Sequence, residues 1–267
     1  MHNRIDQCFE RLSVEKRKGF IPYICAGDPN LKRTVDLAFA LEKSGADLLE
    51  LGLPFSDPLA DGIVNQLAAQ RALAAGATIR GVFDCVRSIR QKSQIPIVLY
   101  SYLNPIFQFG ADRFHREAEE AGVDGLLILD LPPEEDGGEA AAGGIGSSNV
   151  FHIRLIAPTT PADRIKTITK NAKGFIYYVS REGVTGAQES VATSLPEKIK
   201  ELRRASDLPI AIGFGISNAN QAREVAEHAD AVVVGSAIVD LIAKHGDKPE
   251  MIEKVSSFAR SLADAVH

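Results

Sequence analysis

Short apolar runs alternate with longer amphipathic segments along the whole chain. Most of the short runs are apolar at consecutive positions, which is typical of parallel strands that are covered on both faces. Eight runs are predicted to be strands: FIPYIC (20–25), DLLELG (47–52), IPIVLYSY (95–102), DGLLILD (124–130), FHIRLIA (151–157), GFIYYV (174–179), PIAIGF (209–214) and DAVVVG (230–235).

The segments between these runs repeat apolar residues at intervals of three and four, which predicts amphipathic helices. The clearest are LKRTVDLAFALEKSG, ADRFHREAEEAG, PADRIKTITKNA, PEKIKELRRAS and NANQAREVAEHA. Eight strands that alternate with helices predict an α/β fold, the (β/α)8 TIM barrel, as a single domain over residues 1–267. A doubly wound open sheet is the alternative, because periodicity alone does not distinguish the two.

Three local patterns refine this prediction. The stretches SGADLLELG, AGVDGLLILD and EHADAVVVG form a weak internal repeat, in which a helix end leads into a strand through a short turn that holds an aspartate. The N-terminal segment places Ile5, Cys8, Phe9 and Leu12 on one helical face, which predicts an extra helix before the barrel. Residues 137–146 hold five glycines. Each costs a helix about 1 kcal/mol relative to alanine, so a short, frayed or partly irregular helix is expected there.

The composition limits the classes of function. The net charge is −5 and there is no basic block, which argues against a nucleic-acid or anionic membrane surface. The three cysteines lie far apart, so neither a disulfide framework nor a zinc site is expected, and a reducing cytosol fits. No apolar stretch approaches the roughly 20 residues that span a bilayer, and the N-terminus lacks the apolar core of a signal peptide. We therefore expect a cytoplasmic protein, or one of the plastid stroma if it is a processed plant protein.

Candidate chemistry is expected at the C-terminal ends of the strands, where barrel enzymes carry their sites. No lysine lies there, which argues against an aldolase that forms a Schiff base. The histidines do not cluster in the sequence, so a metal-dependent lyase is not expected and no metal ligand is predicted. Carboxylates and tyrosines are therefore left to transfer protons.

The strongest candidates are Glu50 and Asp61, in ELGLPFSDPLADG (50–62). Leucines flank Glu50, and an apolar neighbourhood raises a carboxyl pKa enough to keep a glutamic acid protonated near neutrality. Asp61 follows two prolines on a loop, where it should be more exposed and stay ionised. Two carboxyl groups in unequal surroundings can divide the acid and base roles. The alternative is that Glu50 pairs with a buried arginine or caps a loop.

A phosphate site is predicted from GFG (213–215), which is followed by Ser217-Asn218, and from the Gly235-Ser236 pair that opens the next helix. Glycine lets the backbone approach an anion closely, and a helix N-terminus adds a favourable dipole. Barrels often bind phosphate at this position. The alternative is that these glycines only form turns.

Six segments together resemble the tryptophan synthase alpha subunit family: ELGLPFSDPLADG, YVSREGVTGA, IGFGIS, VVGSAIV, APTTP (157–161) and the opening IPYICAGDP. The resemblance runs nearly end to end in the same order, and the first of these motifs is highly specific. The glycine-rich stretch at 137–150 is its weakest region. A second departure follows Asp61, where the family usually has Gly-Pro-Thr-Ile-Gln and this chain has GIVNQ (62–66).

The resemblance implies a TIM barrel that cleaves indole-3-glycerol phosphate to indole and glyceraldehyde 3-phosphate by retro-aldol chemistry. It also implies a partner, the tryptophan synthase beta subunit, in an alpha2beta2 complex in which indole passes through a tunnel. Pyridoxal phosphate is expected in that partner, with no cofactor in this chain. Pro54, Ser56, Asp57 and Pro58 form a stiff, exposed loop beside the barrel mouth, which is a candidate interface with this partner. The alternative is that it is only a loop.

The resemblance further implies roles for residues that match the family's motifs. Glu50 is the general acid and base, Asp61 holds the indole N–H, and Tyr177 lies beside the reacting carbon. Residues 181–187 form a mobile loop, with Thr185 meeting Asp61 on closure. The implied substrate-binding residues surround the indole and the phosphate: Tyr23, Tyr100, Tyr102, Thr185, Gly186, Phe214, Gly215, Gly235 and Ser236. Relatives often carry an aliphatic residue at the position of Tyr100.

Two alternatives to an active lyase stay open on the sequence alone. One is a catalytically weak, alpha-like subunit that binds ligand and regulates a partner, which an assay of the chain with and without that partner would reveal. The other is a different phosphate-binding barrel, such as a sugar-phosphate isomerase or epimerase. A test for indole release distinguishes this second alternative from a lyase.

Overall fold

The computed structural model of the chain describes residues 3–135, 149–179, 191–213 and 215–267. Within these ranges the strands are Gly19–Cys25 (β1), Leu49–Gly52 (β2), Ile97–Ser101 (β3), Gly125–Ile128 (β4), Phe151–His152 (β5), Arg154–Ile156 (β6), Ile176–Val179 (β7), Ile210–Gly213 (β8) and Ala231–Val234 (β9). They form one parallel sheet in the order β5-β4-β3-β2-β1-β9-β8-β7-β6.

This sheet closes into a barrel through Ile153. β5 pairs with β4 and β6 pairs with β7, and only Ile153 separates β5 from β6 along the chain. The predicted strand at 151–157 is therefore present as two short pieces that join the two edges of the sheet. The TIM-barrel prediction is confirmed.

Helices follow the strands and surround the barrel. Over the described ranges they are Arg4–Glu15 (α1), Leu31–Lys43 (α2), Ile63–Ala74 (α3), Ile79–Arg90 (α4), Leu103–Phe109 (α5), Ala111–Ala121 (α6), Ala162–Thr169 (α7), Val191–Ala205 (α8), Ala219–Ala226 (α9), Ser236–His245 (α10) and Met251–Val266 (α11). None of the described helices is both long and apolar enough to span a membrane.

One helix prediction differs from the structure in extent, and another falls outside the residues that the structure describes. α8 begins at Val191, before its predicted start at Pro196, so this proline lies inside the helix and removes one intrahelical hydrogen bond. The short helix expected over residues 137–146 lies outside the described residues.

Alternation along β2 and β3 places neighbouring apolar side chains in different cores. Leu49 and Leu51 of β2 belong to the large core between the sheet and the helices. Leu48 and Val98 belong to a smaller core inside the barrel. Because successive side chains of a strand point to opposite faces, Glu50 lies on the same inward face as Leu48.

The predicted N-terminal helix, α1, covers the N-terminal end of the barrel. The side chain of Asn3 caps it by accepting a hydrogen bond from the backbone N–H of Ile5. Its predicted apolar face is buried, and Phe9 lies 5.5 Å from the Phe175 ring between the ring centroids. This helix therefore closes one end of the barrel and leaves the other end for a site.

The aspartates of the internal repeat have one structural role in common. Each lies one or two residues before a strand and donates its backbone N–H to the carbonyl of a residue near the start of the neighbouring strand. The same residue returns its own N–H to the aspartate's Oδ2 at 2.8–3.1 Å. The three pairs are Asp47 with Phe20, Asp124 with Ile97, and Asp230 with Ile210. This reciprocal pairing fixes the register between neighbouring strands.

Arginines neutralise these aspartates at the N-terminal end of the barrel. Arg11 and Arg17 pair with Asp47, and Arg4 and Arg90 pair with Asp124. The Arg90 side chain is 10% exposed and that of Asp124 is 3% exposed, so this pair lies largely out of water. Such a pair is costly to break on one side, because the remaining charge is left buried.

Candidate active site

Glu50 lies inside the barrel, in the middle of β2, with 3% of its surface exposed. Its neighbours in register are Tyr23 on β1 and Val98 on β3. Burial, with a smaller contribution from the charge of Asp61, raises the pKa of Glu50 to about 8. Among the described residues no arginine or lysine forms an ion pair with it, so the predicted alternative of a buried arginine partner is not met there. The carboxyl group is thus protonated at neutral pH.

The apolar surroundings of Glu50 differ from those that the sequence suggested. Leu49 and Leu51 face away from it into the outer core, because alternate side chains of a strand point to opposite faces. Leu48 shares its face, and the remaining low-dielectric surroundings come from neighbouring strands. The tyrosine rings of β1 and β7 belong to these surroundings, since the charge of Glu50 acts on the pKa of both Tyr23 and Tyr177.

Asp61 lies in the loop between β2 and α3 and is held by two tyrosine hydroxyl groups. Tyr100 Oη donates to Asp61 Oδ1 at 2.8 Å, and Tyr102 Oη donates to Asp61 Oδ2 at 2.9 Å. Tyr102 Oη also accepts the backbone N–H of Ala60 at 2.9 Å. The loop is therefore tied to β3, and its carboxylate points toward the barrel mouth rather than into bulk water.

The surroundings of Asp61 are more polar than those of Glu50, as predicted, but they still perturb its titration. Asp61 is half-buried, and this burial raises its pKa above the ordinary value. Hydrogen bonds from Tyr100, Tyr102 and Asn65 act in the opposite direction by stabilising the anion. The expectation that exposure alone keeps Asp61 ionised is thus incomplete, because hydrogen-bond donors contribute.

Two glycines make room for the tyrosines of the site. A Cβ added at Gly52 would lie 2.3 Å from Tyr23 Oη, and one added at Gly213 would lie 2.7 Å from Tyr177 Oη. Since real Cβ atoms do not approach other atoms so closely, any side chain at either position would displace a tyrosine. Gly52 and Gly213 therefore belong to the site as spacers for Tyr23 and Tyr177.

The predicted phosphate-binding residues fall partly within the described ranges. Gly215 follows β8 with a φ of +57°, and Gly235 and Ser236 open α10 at the end of β9. These positions lie at the same end of the barrel as Glu50's loop, and the first N–H groups of α10 point away from the helix. Thr185, Gly186, Phe214 and the predicted mobile loop at 181–187 lie outside the described residues.

Sequence reasoning missed Asn65 and the two spacer glycines. Asn65 lies in the first turn of α3, and its side chain hydrogen-bonds to Asp61. Its only sequence signal is a position four residues after Asp61 at the start of a helix. Pro54 is buried, so the exposed part of the predicted interface loop begins later, at Ser56 and Asp57.

The opposite end of the barrel has a cleft of about 490 Å3 that is lined by charged side chains. Arg4, Arg11 and Arg17 line it, and each already pairs with Asp47 or Asp124. These charges serve the strand register described above. Among the described residues no group of three or more histidine, cysteine, aspartate or glutamate side chains is arranged to hold a metal ion.

Comparisons with known proteins agree in pointing to one family. The sequence profile of the family "Tryptophan synthase alpha chain" matches residues 9–267. A tryptophan synthase alpha chain from Opitutus terrae is 55% identical over 261 residues, which cover 97% of each chain. A crystal structure of the alpha chain from Legionella pneumophila superimposes with a TM-score of 0.89 at 38% identity, covering 100% of this chain and 98% of that one. A tryptophan synthase structure from Mycobacterium tuberculosis superimposes with a TM-score of 0.88 at 31% identity, covering 100% and 99%.

Proposed function

The chain belongs to the tryptophan synthase alpha chain family, whose members are the lyase that cleaves indole-3-glycerol phosphate, and we propose that Glu50 and Asp61 carry that reaction in this protein. The observation that carries this proposal is the unequal environment of the two carboxyl groups. Glu50 is buried in the barrel with a pKa of about 8, whereas Asp61 is half-buried and accepts two phenol hydrogen bonds. One group is therefore poised to give a proton and the other to stay anionic.

The first step is the protonation of the indole ring at C3. The bond between C3 and the glycerol side chain breaks readily only after C3 has gained a proton, because the bond's electrons then restore the aromatic ring. Glu50 in its acid form supplies this proton. A positioned acid of this kind typically contributes about 10²–10⁴-fold in rate.

The charge that develops in this step falls near the indole nitrogen. Asp61, as an anion, accepts the indole N–H and stabilises the positive charge there. When the C3 bond breaks, the neighbouring hydroxyl group of the side chain loses its proton and becomes the aldehyde of glyceraldehyde 3-phosphate. Glu50, which has just become a carboxylate, is the base that receives this proton, so its starting state is restored.

The remaining site residues bind and orient the substrate. Tyr177 lies beside the reacting carbon, and Tyr23, Tyr100 and Tyr102 line one wall of the indole pocket. The backbone N–H groups of Gly215, Gly235 and Ser236 bind the phosphate. In support, Gly235 and Ser236 open α10, whose N-terminus favours an anion, and Gly215 has a left-handed backbone conformation. Thr185, Gly186 and Phe214 keep the roles that the family motifs imply.

The family normally pairs with a beta subunit, which holds pyridoxal phosphate, and we propose that this chain does so in an alpha2beta2 complex. Four large apolar side chains support this proposal, because they are exposed on the elements that follow β2 and β3, beside the barrel mouth. They are Leu59 at 91%, Ile63 at 62%, Leu67 at 45% and Phe107 at 70% exposure. Exposed apolar side chains grouped at one end are typical of an interaction surface. The steps assigned to Glu50 and Asp61 need no cofactor in this chain.

We also propose a cytoplasmic location. The three cysteines are free and buried, which suits a reducing compartment.

Indole release by the purified chain tests the proposed function directly. Indole-3-glycerol phosphate is supplied with and without a beta subunit, and released indole is quantified for wild type, Glu50→Gln and Glu120→Gln. Glu120 is exposed on α6 and serves as the matched control, since the same substitution is made there far from the site. We expect Glu50→Gln to lose at least about 10²-fold in turnover and Glu120→Gln to lose nothing. Near-normal indole release by a folded Glu50→Gln protein would contradict the assignment.

A further inference from the structure

Tyr100 lies where it can act on the site through another residue. It is on β3, in register with Gly52, and its ring packs edge-on against Tyr23 with 5.2 Å between the ring centroids. Its hydroxyl group donates to Asp61 Oδ1 at 2.8 Å, while Tyr102 Oη donates to the other carboxylate oxygen at 2.9 Å. Each oxygen of Asp61 thus receives one phenol donor.

We propose that Tyr100 is a positioning residue for the lyase reaction, which holds the Asp61 carboxylate in place and in its anionic form for the indole nitrogen. The inference rests on the proposed function, because it assumes that Asp61 is the group that meets the indole N–H. It gives Tyr100 a role beyond the wall of the indole pocket to which the proposed function assigns it.

The two tyrosines hold Asp61 in different ways. Tyr102 Oη accepts the N–H of Ala60 as well as donating to Asp61, so it is tied to the loop backbone beside the carboxylate. Tyr100 comes from the interior of a central strand and contacts only the carboxylate end of Asp61 through its hydroxyl group. It therefore links a side chain on a loop to the rigid sheet, as pre-organised sites require.

The hydroxyl group of Tyr100 also matters electrostatically. A phenol O–H that donates to a carboxylate stabilises the charged form and opposes the effect of burial. Burial raises the pKa of Asp61, and the hydrogen bond from Tyr100 is the largest contribution that opposes this rise. Removing this donor should therefore raise the pKa of Asp61 further.

The pH profile of kcat/KM separates this role from simple packing. Tyr100→Phe keeps the ring against Tyr23 and removes only the hydroxyl group. If activity needs ionised Asp61, the acid limb of Tyr100→Phe moves to higher pH, with a loss of about tenfold on that limb. The substrate phosphate titrates identically with every variant, so differences between variants report on the protein.

Tyr178→Phe is the matched control for this experiment. Tyr178 is buried on the outward face of β7 and belongs to the outer core. Its substitution by phenylalanine therefore also removes a hydroxyl group, but one that lies outside the site. We expect its acid limb to coincide with that of wild type. Coincidence of the Tyr100→Phe limb with wild type would overturn the proposal.

A double-mutant cycle on indole binding tests whether Tyr100 acts through Asp61. The chain contains no tryptophan, so the fluorescence of added indole can be followed on the protein in the presence of glycerol 3-phosphate. We expect Tyr100→Phe to weaken indole binding several-fold in wild type and less than about twofold in an Asp61→Asn background. An equal loss in both backgrounds would show that Tyr100 acts by contact with the ligand.

The outcomes distinguish this inference from the proposed function. If Glu50→Gln and Asp61→Asn both keep full turnover, the catalytic roles fail and the role of Tyr100 fails with them. If both lose turnover while Tyr100→Phe has the wild-type pH profile, only the inference about Tyr100 is wrong.

Discussion

Glu50 has a pKa near 4.5 in an unfolded chain and about 8 in the folded chain, so folding takes up a proton between these values. The folded state then binds more protons than the unfolded state, and the free energy of unfolding falls as pH rises through that window. At pH 9 the cost of the buried carboxylate reaches the order of 4–5 kcal/mol. The group that supplies acid chemistry therefore lowers stability at alkaline pH.

Substituting Glu50 by glutamine should remove this alkaline loss. We predict that the difference in free energy of unfolding between Glu50→Gln and wild type grows in favour of the variant from pH 5 to pH 9. Any constant effect of the amide cancels in this comparison across pH. Urea unfolding of both proteins at several pH values measures it, and parallel pH curves for the two proteins would count against a raised pKa.

Gly213 gives a second prediction at the residue scale. Gly213→Ala places a methyl group 2.7 Å from Tyr177 Oη and 3.2 Å from its ring, so the tyrosine must move. We expect a loss of about 1–3 kcal/mol in stability, which is typical of overpacking, together with reduced turnover. In a Tyr177→Phe background the closest contact is gone, so the same substitution should cost less. An equal cost in both backgrounds, measured by urea unfolding, would refute this steric account.

The sequence indicated Glu50 and Asp61 as a pair, because one follows leucines on a strand and the other lies on a polar loop. It did not reveal which atoms surround them. Leu49 and Leu51 turned out to face away from Glu50, and the contribution of Asn65 depends on where α3 begins. Contacts across strands and loops arise from tertiary structure, which local pattern does not contain.

At the scale of elements, the aspartates of the internal repeat, which lie just before three strands, set the register between neighbouring strands of the barrel. Asp124 accepts the N–H of Ile97 and pairs with Arg4 and Arg90. Removing its carboxylate leaves the buried N–H of Ile97 without its acceptor and the mostly buried guanidinium group of Arg90 without its counter-charge. Several kcal/mol of stability are therefore at stake in one side chain.

Asp124→Ala should accordingly destabilise the protein by about 3–5 kcal/mol. Asp84→Ala is the matched control, because Asp84 forms an exposed ion pair with Arg87 and is 72% exposed. Exposed pairs of this kind contribute about 0–1 kcal/mol. Denaturant midpoints of the two variants make the comparison, and similar small losses in both would mean that the pairing does not hold the register.

Element types were predictable where periodicity was strong, and boundaries were less so. The apolar face of α1 follows directly from its spacing. The break at Ile153 did not, because the strand has to pair with β4 on one side and with β7 on the other as the barrel closes. Closure is a property of the whole sheet, and no window of sequence around residue 153 expresses it.

The two ends of the barrel carry different groups of residues. α1 and the aspartate–arginine pairs hold the N-terminal end, while Glu50, Asp61, the tyrosines and four of the exposed apolar side chains lie at the C-terminal end. A partner that docks at the mouth would cover the apolar side chains and lie next to the site that releases indole. This arrangement suits a product that is passed directly to a partner.

A charged substitution at the mouth tests this view of the assembly. Leu59→Glu should leave the free chain's stability within about 0.5 kcal/mol and weaken stimulation by the beta subunit at least about tenfold in midpoint concentration. Val14→Glu is the control, because Val14 is 84% exposed on α1 at the opposite end. Titration of each chain with the beta subunit measures the midpoints. Equal midpoints for both variants would place the interface elsewhere.

The most direct test of the central claim is the titration of the Glu50 carboxyl group itself. Carbon-13 NMR of chains labelled at the glutamate carboxyl carbon, with Glu50→Gln used to assign the signal, follows this one group across pH. We predict a carboxyl group that is protonated at pH 7 and half-titrated near pH 8. A signal that is already fully ionised at pH 6 would contradict the account, because Glu50 would then have no proton to give.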